Sequence, residues 1–154
     1  MQESTTLPLQ FAPLVPEWLD AILAVEQRTH DHPWNHANFA DALQAGNHAR
    51  MLLAHDTLLG YFVAMPGVQE AHLLNITVAP EYQGQGCARV MLNALTLWAR
   101  AQQAQCVWLE VRSGNARALR VYEAHGYRRV GIRKAYYPAT NGGREDAVVM
   151  NLPL

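Results

Sequence analysis

The residues best suited to chemistry begin in a glycine-punctuated segment near the middle of the chain. After the run Ile76-Thr77-Val78, the chain passes through Pro80 into Gln83-Gly84-Gln85-Gly86-Cys87-Ala88-Arg89. The first N–H groups of a helix have no acceptor within that helix, and the helix dipole adds positive potential there. A loop that opens a helix at Cys87 is therefore suited to hold an anion such as a pyrophosphate. The alternative is an ordinary turn between a strand and a helix.

Four residues of this loop favour the close approach of a phosphate. Gly84 and Gly86 leave the backbone uncovered, Ala88 adds only a methyl group, and Arg89 supplies a positive charge in the first helical turn. The segment is neither a Walker loop nor a complete dinucleotide-binding fingerprint. The helix start would also lower the pKa of the Cys87 thiol, but direct group transfer needs no cysteine nucleophile.

Glu110 is a candidate for accepting a proton. It is the one acid in the apolar strand pattern Cys106–Val111, and Trp108 lies two residues away on the same strand face. A carboxylate in such surroundings is suited to act as a general base, directly or through a water. The alternative is an ion pair with Arg112, which shares that face.

Tyr122 is a candidate for donating a proton. It follows Asn115 by seven residues, so both lie on one face of the predicted helix Ala116–His125. The tyrosine hydroxyl would protonate a leaving group. The alternative is an ordinary tyrosine of the hydrophobic core.

The elements that position these residues follow from hydrophobic periodicity and turn residues. In chain order the sequence predicts a strand at Leu7–Phe11, a helix from Pro16, a helix capped by Asn35 and ended by Gly46, strands at Arg50–His55, Leu58–Met65 and Ala71–Val78, a helix at Cys87–Gln102, a strand at Cys106–Val111, a helix at Ala116–His125, a strand at Tyr127–Arg133, a long loop at Tyr136–Gly143 and a strand at Ala147–Leu152. This order predicts a mixed α/β sheet with two helical crossovers in its second half.

Length and composition indicate a single domain over residues 1–154. Half of the 154 residues are apolar and 16% are charged, which provides a sizeable core and argues against disorder. No apolar run approaches the roughly 20 residues that cross a bilayer, and no signal peptide is visible. Cys87 and Cys106 form no metal or disulfide pattern, and Pro33 interrupts the histidine-rich segment 30–36. We therefore expect a cytoplasmic protein with no metal and no membrane contact.

Charge is unevenly distributed along the chain. The net charge of −1 combines nine acidic and two basic side chains in residues 1–81 with four acidic and ten basic ones in residues 82–154. The basic half suits a phosphate-bearing cofactor, and it leaves a nucleic-acid binder as an alternative. Because the chain lacks the interleaved aromatic and basic residues of single-strand platforms, we expect no direct nucleic-acid binding.

The motif Gln83-x-x-Gly86-x-Ala88 resembles the acetyl-CoA signature Gln/Arg-x-x-Gly-x-Gly/Ala of the GNAT N-acetyltransferases. The resemblance extends along nearly the whole chain and points to the RimI-type subfamily. The matching segments are Glu26-Gln27-Arg28-x-His30-x-x-Pro33-Trp34, Trp108-Leu109-Glu110-Val111-Arg112, Asn115-Ala116, Val121-Tyr122-Glu123, Gly126-Tyr127, Tyr136-Tyr137-Pro138 and Gly143-Arg144-Glu145-Asp146-Ala147. Close relatives often have glycine at the place of Ala88, and both residues occur in the wider family.

This resemblance implies a GNAT fold: a mixed central β-sheet of about seven strands flanked by about four helices, with splayed parallel strands at the cofactor site. Backbone groups of Ile76 and Val78 would pair with the pantetheine arm, and the glycine loop would hold the pyrophosphate. The residues implied to bind acetyl-CoA are Ile76, Thr77, Val78, Gly84, Gln85, Gly86, Cys87, Ala88, Arg89, Asn115 and Tyr122.

The resemblance also implies direct transfer of an acetyl group to the N-terminal alanine of a small-subunit ribosomal protein, protein eighteen. Glu110 would be the general base, Tyr122 the general acid for the departing thiolate, and a backbone N–H near Val78 would stabilise the oxyanion. Trp34, Tyr136 and Tyr137 would bind the peptide.

Several functional alternatives share these sequence features. The acceptor would instead be another protein N-terminus or a small-molecule amine, or the domain would sense acyl-CoA without turnover. The retained Glu110 and Tyr122 argue against the last alternative. If the acceptor is a peptide, the acidic first half of the chain would favour a cationic one. We expect the protein to be a monomer or weak dimer.

Overall fold

The computed structural model describes residues 8–154, and its elements follow the predicted order. The helices are α1 (Leu19–Thr29), α2 (His36–Gln44), α3 (Cys87–Ala101) and α4 (Ala116–His125). The strands are β1 (Leu9–Pro13), β2 (His48–Ala54), β3 (Thr57–Pro66), β4 (Glu70–Val78), β5 (Cys106–Arg112), β6 (Arg128–Pro138) and β7 (Arg144–Pro153). Short 3-10 turns at Pro16–Trp18 and Pro80–Tyr82 precede α1 and the glycine loop.

The strands form one mixed sheet with the order β1-β2-β3-β4-β5-β7-β6. The first four strands are antiparallel neighbours, β4 and β5 are parallel, and β7 lies antiparallel between β5 and β6. The parallel pair is short, because only Glu70–His72 pairs with Cys106–Trp108. Beyond these residues the two strands diverge, and this confirms the expected splayed pair in a GNAT-type sheet.

Two hydrophobic clusters hold the helices against the sheet. Successive side chains of β3 belong to different clusters, since Tyr61 packs with residues of α1 and α2 whereas Phe62 packs with residues of α3 and α4. Fully burying one large apolar side chain contributes about 1.5–3 kcal/mol. β3 is therefore buried on both faces, and β4, which pairs with it, is held firmly beside the divergence.

Most predicted elements are confirmed, with strand ends shifted by a few residues. The helix at Ala116–His125 has the predicted bounds. Asn35 caps α2 through a reciprocal pair with Asn38, at 2.8 and 2.9 Å. Leu7 of the predicted first strand lies outside the described residues, and that strand begins at Leu9. Among residues 8–154, no helix has the length and apolar content needed to cross a bilayer.

The prediction of a long loop at Tyr136–Gly143 is wrong. β6 continues to Pro138 after an irregularity at Ala135, whose φ is +51°. Side chains of β7 bond to the backbone there: Asp146 Oδ1 accepts the Ala135 N–H at 2.8 Å, and Arg144 Nε donates to the Ala135 carbonyl at 3.1 Å. These bonds allow the strand to resume, so the connection shortens to residues 139–143.

Candidate active site

A groove of about 1260 Å³ opens where β4 and β5 separate. The end of β4, the first turn of α3, the outer half of β5, one side of α4 and the end of α1 supply its walls. Glu110 and Tyr122 both line it, and so do the glycine loop and Asn115. The fold thus brings both candidate proton-transfer groups to one cavity.

The glycine loop borders open space at one end of the groove. Gly84 and Gly86 have φ values of +78° and +88°, in the region that strains other residues. A Cβ at Gly84 would meet no atom within 4 Å, and one at Gly86 would meet only Arg89 Nη2 at 3.6 Å. Gly86 gives α3 no side-chain cap, so the first N–H groups of the helix suit an anion.

Gln83 ties the glycine loop to both neighbouring walls. Its Nε2 donates to the Val78 carbonyl at 3.1 Å, and its Oε1 accepts from Arg117 Nη1 at 2.8 Å. The end of β4 is thereby linked to the first turn of α4 across the groove. The sequence motif identifies Gln83, but it does not reveal Arg117, which lies 34 residues later.

All eleven residues expected to bind acetyl-CoA line the groove. Asn115 also caps α4, since its Oδ1 accepts the Ala118 N–H at 3.2 Å. The expected effect of the helix start on Cys87 is wrong, because burial raises the pKa of this thiol. The Cys87 side chain is buried in the cluster under α3, where it acts as a small apolar group.

Glu110 has a different partner from the one that the sequence offers. Its Oε2 lies 2.5 Å from His72 Nε2, and its Oε1 lies 3.7 Å from Arg133 Nη2. Arg112 instead pairs with Glu145 at 3.2 Å and donates to the Pro138 carbonyl at 2.8 Å. The alternative ion pair between Glu110 and Arg112 is therefore wrong.

Tyr122 lines the groove from α4 and keeps its proton. Burial, and secondarily Tyr137, raise the pKa of its hydroxyl above the ordinary value. A phenol in this state donates a hydrogen bond at neutral pH and is a poor proton acceptor. The geometry therefore suits a donor to developing negative charge in the groove.

The aromatic residues expected to bind peptide divide into two groups. Trp34 and Tyr137 line the groove. Tyr136 does not line the groove: it is exposed, its ring packs on Tyr137 with centroids 5.0 Å apart, and the Arg133 guanidinium lies 5.3 Å from its ring centroid. A contact of Tyr136 with the peptide stays a prediction, at the edge of the groove.

Tyr137 is fixed by its neighbours at the groove wall. The Arg112 guanidinium lies 4.5 Å from its ring centroid. Burial, with a contribution from the Glu110 charge, raises the pKa of Tyr137 to about 12. Arg112 also reaches Glu145, whose Oε2 accepts the Gly114 N–H at 2.8 Å, so the same contacts brace the turn before α4.

A buried polar cluster around Glu26 closes the other side of the groove. Glu26 is only 1% exposed, and its carboxylate accepts from Tyr61 Oη at 2.6 Å and from the Trp34 N–H at 3.0 Å. Thr77 Oγ1 lies 3.4 Å from the same carboxylate and 2.8 Å from His30 Nε2. Glu26 belongs to the acidic first half that we expect to favour a cationic peptide, but its buried carboxylate accepts hydrogen bonds from within the protein. Its place after Ile22 and Val25, on the apolar face of α1, is the signal that predicts burial.

A parallel strand pair that diverges around a groove, with an anion-suited glycine loop at its edge, is the architecture of an acyl-CoA-dependent transferase. Residues 18–127 match the Acetyltransferase (GNAT) family. The chain therefore belongs to the GNAT acetyltransferases.

Several named proteins are similar to this chain over most of its length. The chain is 37% identical over 136 residues to the [ribosomal protein bS18]-alanine N-acetyltransferase of Escherichia coli K12, covering 88% of this chain and 91% of that protein. It is 34% identical over 131 residues to the Haemophilus influenzae enzyme of the same name, covering 85% and 89%. The crystal structure of the Escherichia coli ribosomal-protein-S18-alanine N-acetyltransferase superposes with a TM-score of 0.87 at 35% identity, over 95% of this chain and 94% of that one.

Proposed function

We propose that this protein transfers the acetyl group of acetyl-CoA to the N-terminal alanine of ribosomal protein bS18. One observation supports this most directly: Glu110 and Tyr122 line one groove together with the glycine loop. The named relatives, at 34% and 37% identity over most of the chain, act on that substrate by their names.

Acetyl-CoA would enter with its pyrophosphate at the glycine loop. The open space beside Gly84 and Gly86 and the uncapped start of α3 support this placement. The pantetheine arm would run between the diverging strands, beside Ile76 and Val78, with Asn115 as a further polar contact. This orientation would direct the thioester toward the part of the groove that Glu110 and Tyr122 line.

Transfer would then proceed in one step without an acyl-enzyme. The α-ammonium group of a peptide has a pKa of roughly 7.7–8.0, so it must lose a proton before its nitrogen can attack. Glu110 would take that proton, directly or through a water. The nitrogen would bond to the thioester carbon, and the carbon–sulfur bond would break. Tyr122 would donate its hydroxyl proton to the departing thiolate, so that CoA leaves as the thiol. The nitrogen would lose its second proton as the amide forms, and this proton would restore the Tyr122 hydroxyl, while Glu110 would release its proton to solvent.

The acceptor peptide would occupy the side of the groove between Trp34 and Tyr137. Both residues are held in place. The Trp34 backbone N–H donates to Glu26 and its ring packs on Phe39, with centroids 5.0 Å apart, while the Tyr137 ring contacts the Arg112 guanidinium. Rigid aromatic walls recognise a short N-terminal segment at low entropic cost. We propose that the chain does this as a single domain in the cytoplasm, as a monomer or weak dimer.

A substrate panel tests the proposal. Acetyl-CoA turnover would be measured with a bS18 N-terminal peptide that begins with alanine, its N-acetylated form, a peptide of scrambled sequence that keeps alanine first, and spermidine. We expect turnover of the first peptide, none of the blocked form and a lower kcat/KM for the scrambled one. Equal rates for both free peptides would support a general N-terminal acetyltransferase, and a preference for spermidine would overturn the peptide substrate.

A further inference from the structure

His72 contacts Glu110 from behind the groove. It is the last residue of β4 that pairs with β5, opposite Trp108, and its Nε2 lies 2.5 Å from Glu110 Oε2. Its side chain is 28% exposed and that of Glu110 is 11% exposed. His72 does not line the groove, whereas Glu110 does, so the imidazole contacts the carboxylate without occupying substrate space.

The other charged groups around the pair make weaker or different contacts. Arg133 from β6 lies 3.7 Å from Glu110 Oε1, and its side chain is 56% exposed. Arg112, on the same strand as Glu110, is committed to Glu145. Tyr137 of β6 is neutral at physiological pH, because the pKa of its hydroxyl is raised to about 12.

The acids on β4 and α1 nearest His72 bond to other partners. Glu70, two residues earlier on β4, accepts from Trp108 Nε1 at 2.8 Å. Met65 of β3 lies opposite His72 in the sheet. Glu26 of α1 bonds further along β4, to Asn75 and Thr77. His72 is thus the donor that the fold supplies to Glu110 Oε2.

We propose that His72 is a positioning residue for Glu110 in acetyl transfer, an inference that rests on the proposed function. A neutral imidazole donates its Nε2–H to Oε2 and fixes the carboxylate, so that Oε1 takes the amine proton. Without the imidazole N–H the carboxylate would be free to turn away from the incoming amine, so loss of this donor should lower kcat more than either KM.

Two variants test whether His72 acts through its hydrogen-bond donor. His72→Gln keeps a neutral amide donor of similar reach but cannot be protonated, and His72→Leu removes the donor. His55→Gln is a matched control, since His55 is exposed in the turn between β2 and β3. The kcat and both KM values of the four proteins would be measured from about pH 5.5 to 9 with the same peptide, so that its own ionisation is common to all.

The inference predicts a distinct result for each variant. For His72→Leu we expect kcat to fall about tenfold, with both KM values within about twofold of wild type. For His72→Gln, which restores a neutral donor, we expect kcat at about pH 8 within about threefold of wild type. His55→Gln should trace the wild-type profile. A kcat for His72→Gln as low as that for His72→Leu, or a loss in His72→Leu confined to KM, would overturn the inference.

A second measurement does not depend on the substrate. Long-range ¹H–¹⁵N NMR spectra of histidine report which ring nitrogen carries the proton. We expect the Nε2–H form at His72 in wild type and a changed spectrum in Glu110→Gln. An unchanged His72 signal would overturn the pairing itself, whereas failure of peptide turnover with the expected spectrum would overturn only the proposed function.

Discussion

Tyr122 and Tyr127 are neighbouring tyrosines with opposite surroundings. Their ring centroids lie 5.9 Å apart. Tyr122 lines the groove, whereas the Tyr127 hydroxyl is buried with no hydrogen-bond partner among the described residues. Burial raises the pKa of both hydroxyls. The pair therefore allows the hydroxyl that we propose as a proton donor to be compared with a buried one of the same type.

We expect Tyr122→Phe to lower kcat by about 10²–10⁴-fold, the usual contribution of a proton donor. Acetyl-CoA affinity should change little, because the hydroxyl acts as charge develops on the sulfur. In Tyr127→Phe, kcat should stay near wild type, and removing the orphaned hydroxyl should raise the free energy of unfolding by up to about 1 kcal/mol. Pre-steady-state rates and urea unfolding measure the two effects. A Tyr122→Phe rate within about threefold of wild type would assign this residue to packing.

Glu110→Gln tests the proton acceptor. The amide keeps the size of the side chain and a hydrogen-bond acceptor near His72, but it cannot accept the ammonium proton. The variant should be slow at neutral pH and should partly recover as pH rises past the peptide pKa of roughly 7.7–8.0, where free amine forms without a base. Superimposable pH profiles of kcat for wild type and variant would contradict the assignment and leave water as the base.

Sequence and resemblance predict the residues that line the groove better than the residues that support them. Glu110 and Tyr122 stand in recognisable strand and helix patterns and in segments that carry the family resemblance, so their presence in one groove could be predicted. The contact between His72 and Glu110 depends on the pairing of β4 with β5, and these residues are 38 positions apart. No local pattern specifies that register, and the nearer Arg112 offered a plausible but wrong partner.

At the scale of elements, the glycine loop combines a strained backbone with an uncapped helix. Gly86 and Gly46 both have left-handed φ values, +88° and +80°. Gly86 borders the groove, whereas Gly46 follows α2 and a Cβ there would meet nothing within 4 Å. Both glycines have a left-handed backbone, but of the two only Gly86 lines the groove.

We expect Gly86→Val to raise the Kd for acetyl-CoA at least about tenfold, because its side chain would extend into space that the phosphate needs. Both substitutions should lower the free energy of unfolding by about 1–2 kcal/mol, because each places a side chain on a left-handed backbone. Gly46→Val should leave the Kd for acetyl-CoA unchanged. Calorimetric titration of each folded variant gives the comparison. An unchanged Kd in Gly86→Val would remove the loop from the cofactor site.

Element boundaries were predictable where a local signal marks them and not where side chains of another strand decide. Asn35 begins α2 and Gly126 ends α4, as the sequence predicts. β6 is longer than predicted, because Arg144 and Asp146 of β7 bond to the backbone at Ala135. On this extended strand Tyr137 lines the groove, whereas Tyr136 packs against its ring, with centroids 5.0 Å apart, outside the lining.

At the scale of the whole molecule, two half-buried histidines pack against α3 from different elements. His48 of β2 stacks on Trp98 with ring centroids 4.4 Å apart. His125, at the end of α4, lies 3.2 Å from Thr96 Oγ1. Burial lowers the pKa of both imidazoles, and Arg50 adds to the effect at His48. The position of His125 predicts a favourable charge at a helix end, and this prediction is wrong because burial disfavours that charge.

These histidines should make the folded protein sensitive to mild acid. Because their pKa values are lower in the folded chain than in the unfolded one, the unfolded chain binds more protons as pH falls below about 6.5. The free energy of unfolding should therefore be highest above about pH 6.5. It should decline as pH falls through the pKa values that the two histidines have in the folded chain. Urea unfolding at about pH 7.5, 6.5 and 5.5 measures this decline, which lies above the more acidic window, below pH 4.5, where Glu81 and Glu145 lose their partners. The double variant His48→Gln/His125→Gln should show a shallower decline, and His55→Gln the wild-type one. An equally steep decline in the double variant would trace the acid sensitivity to other groups.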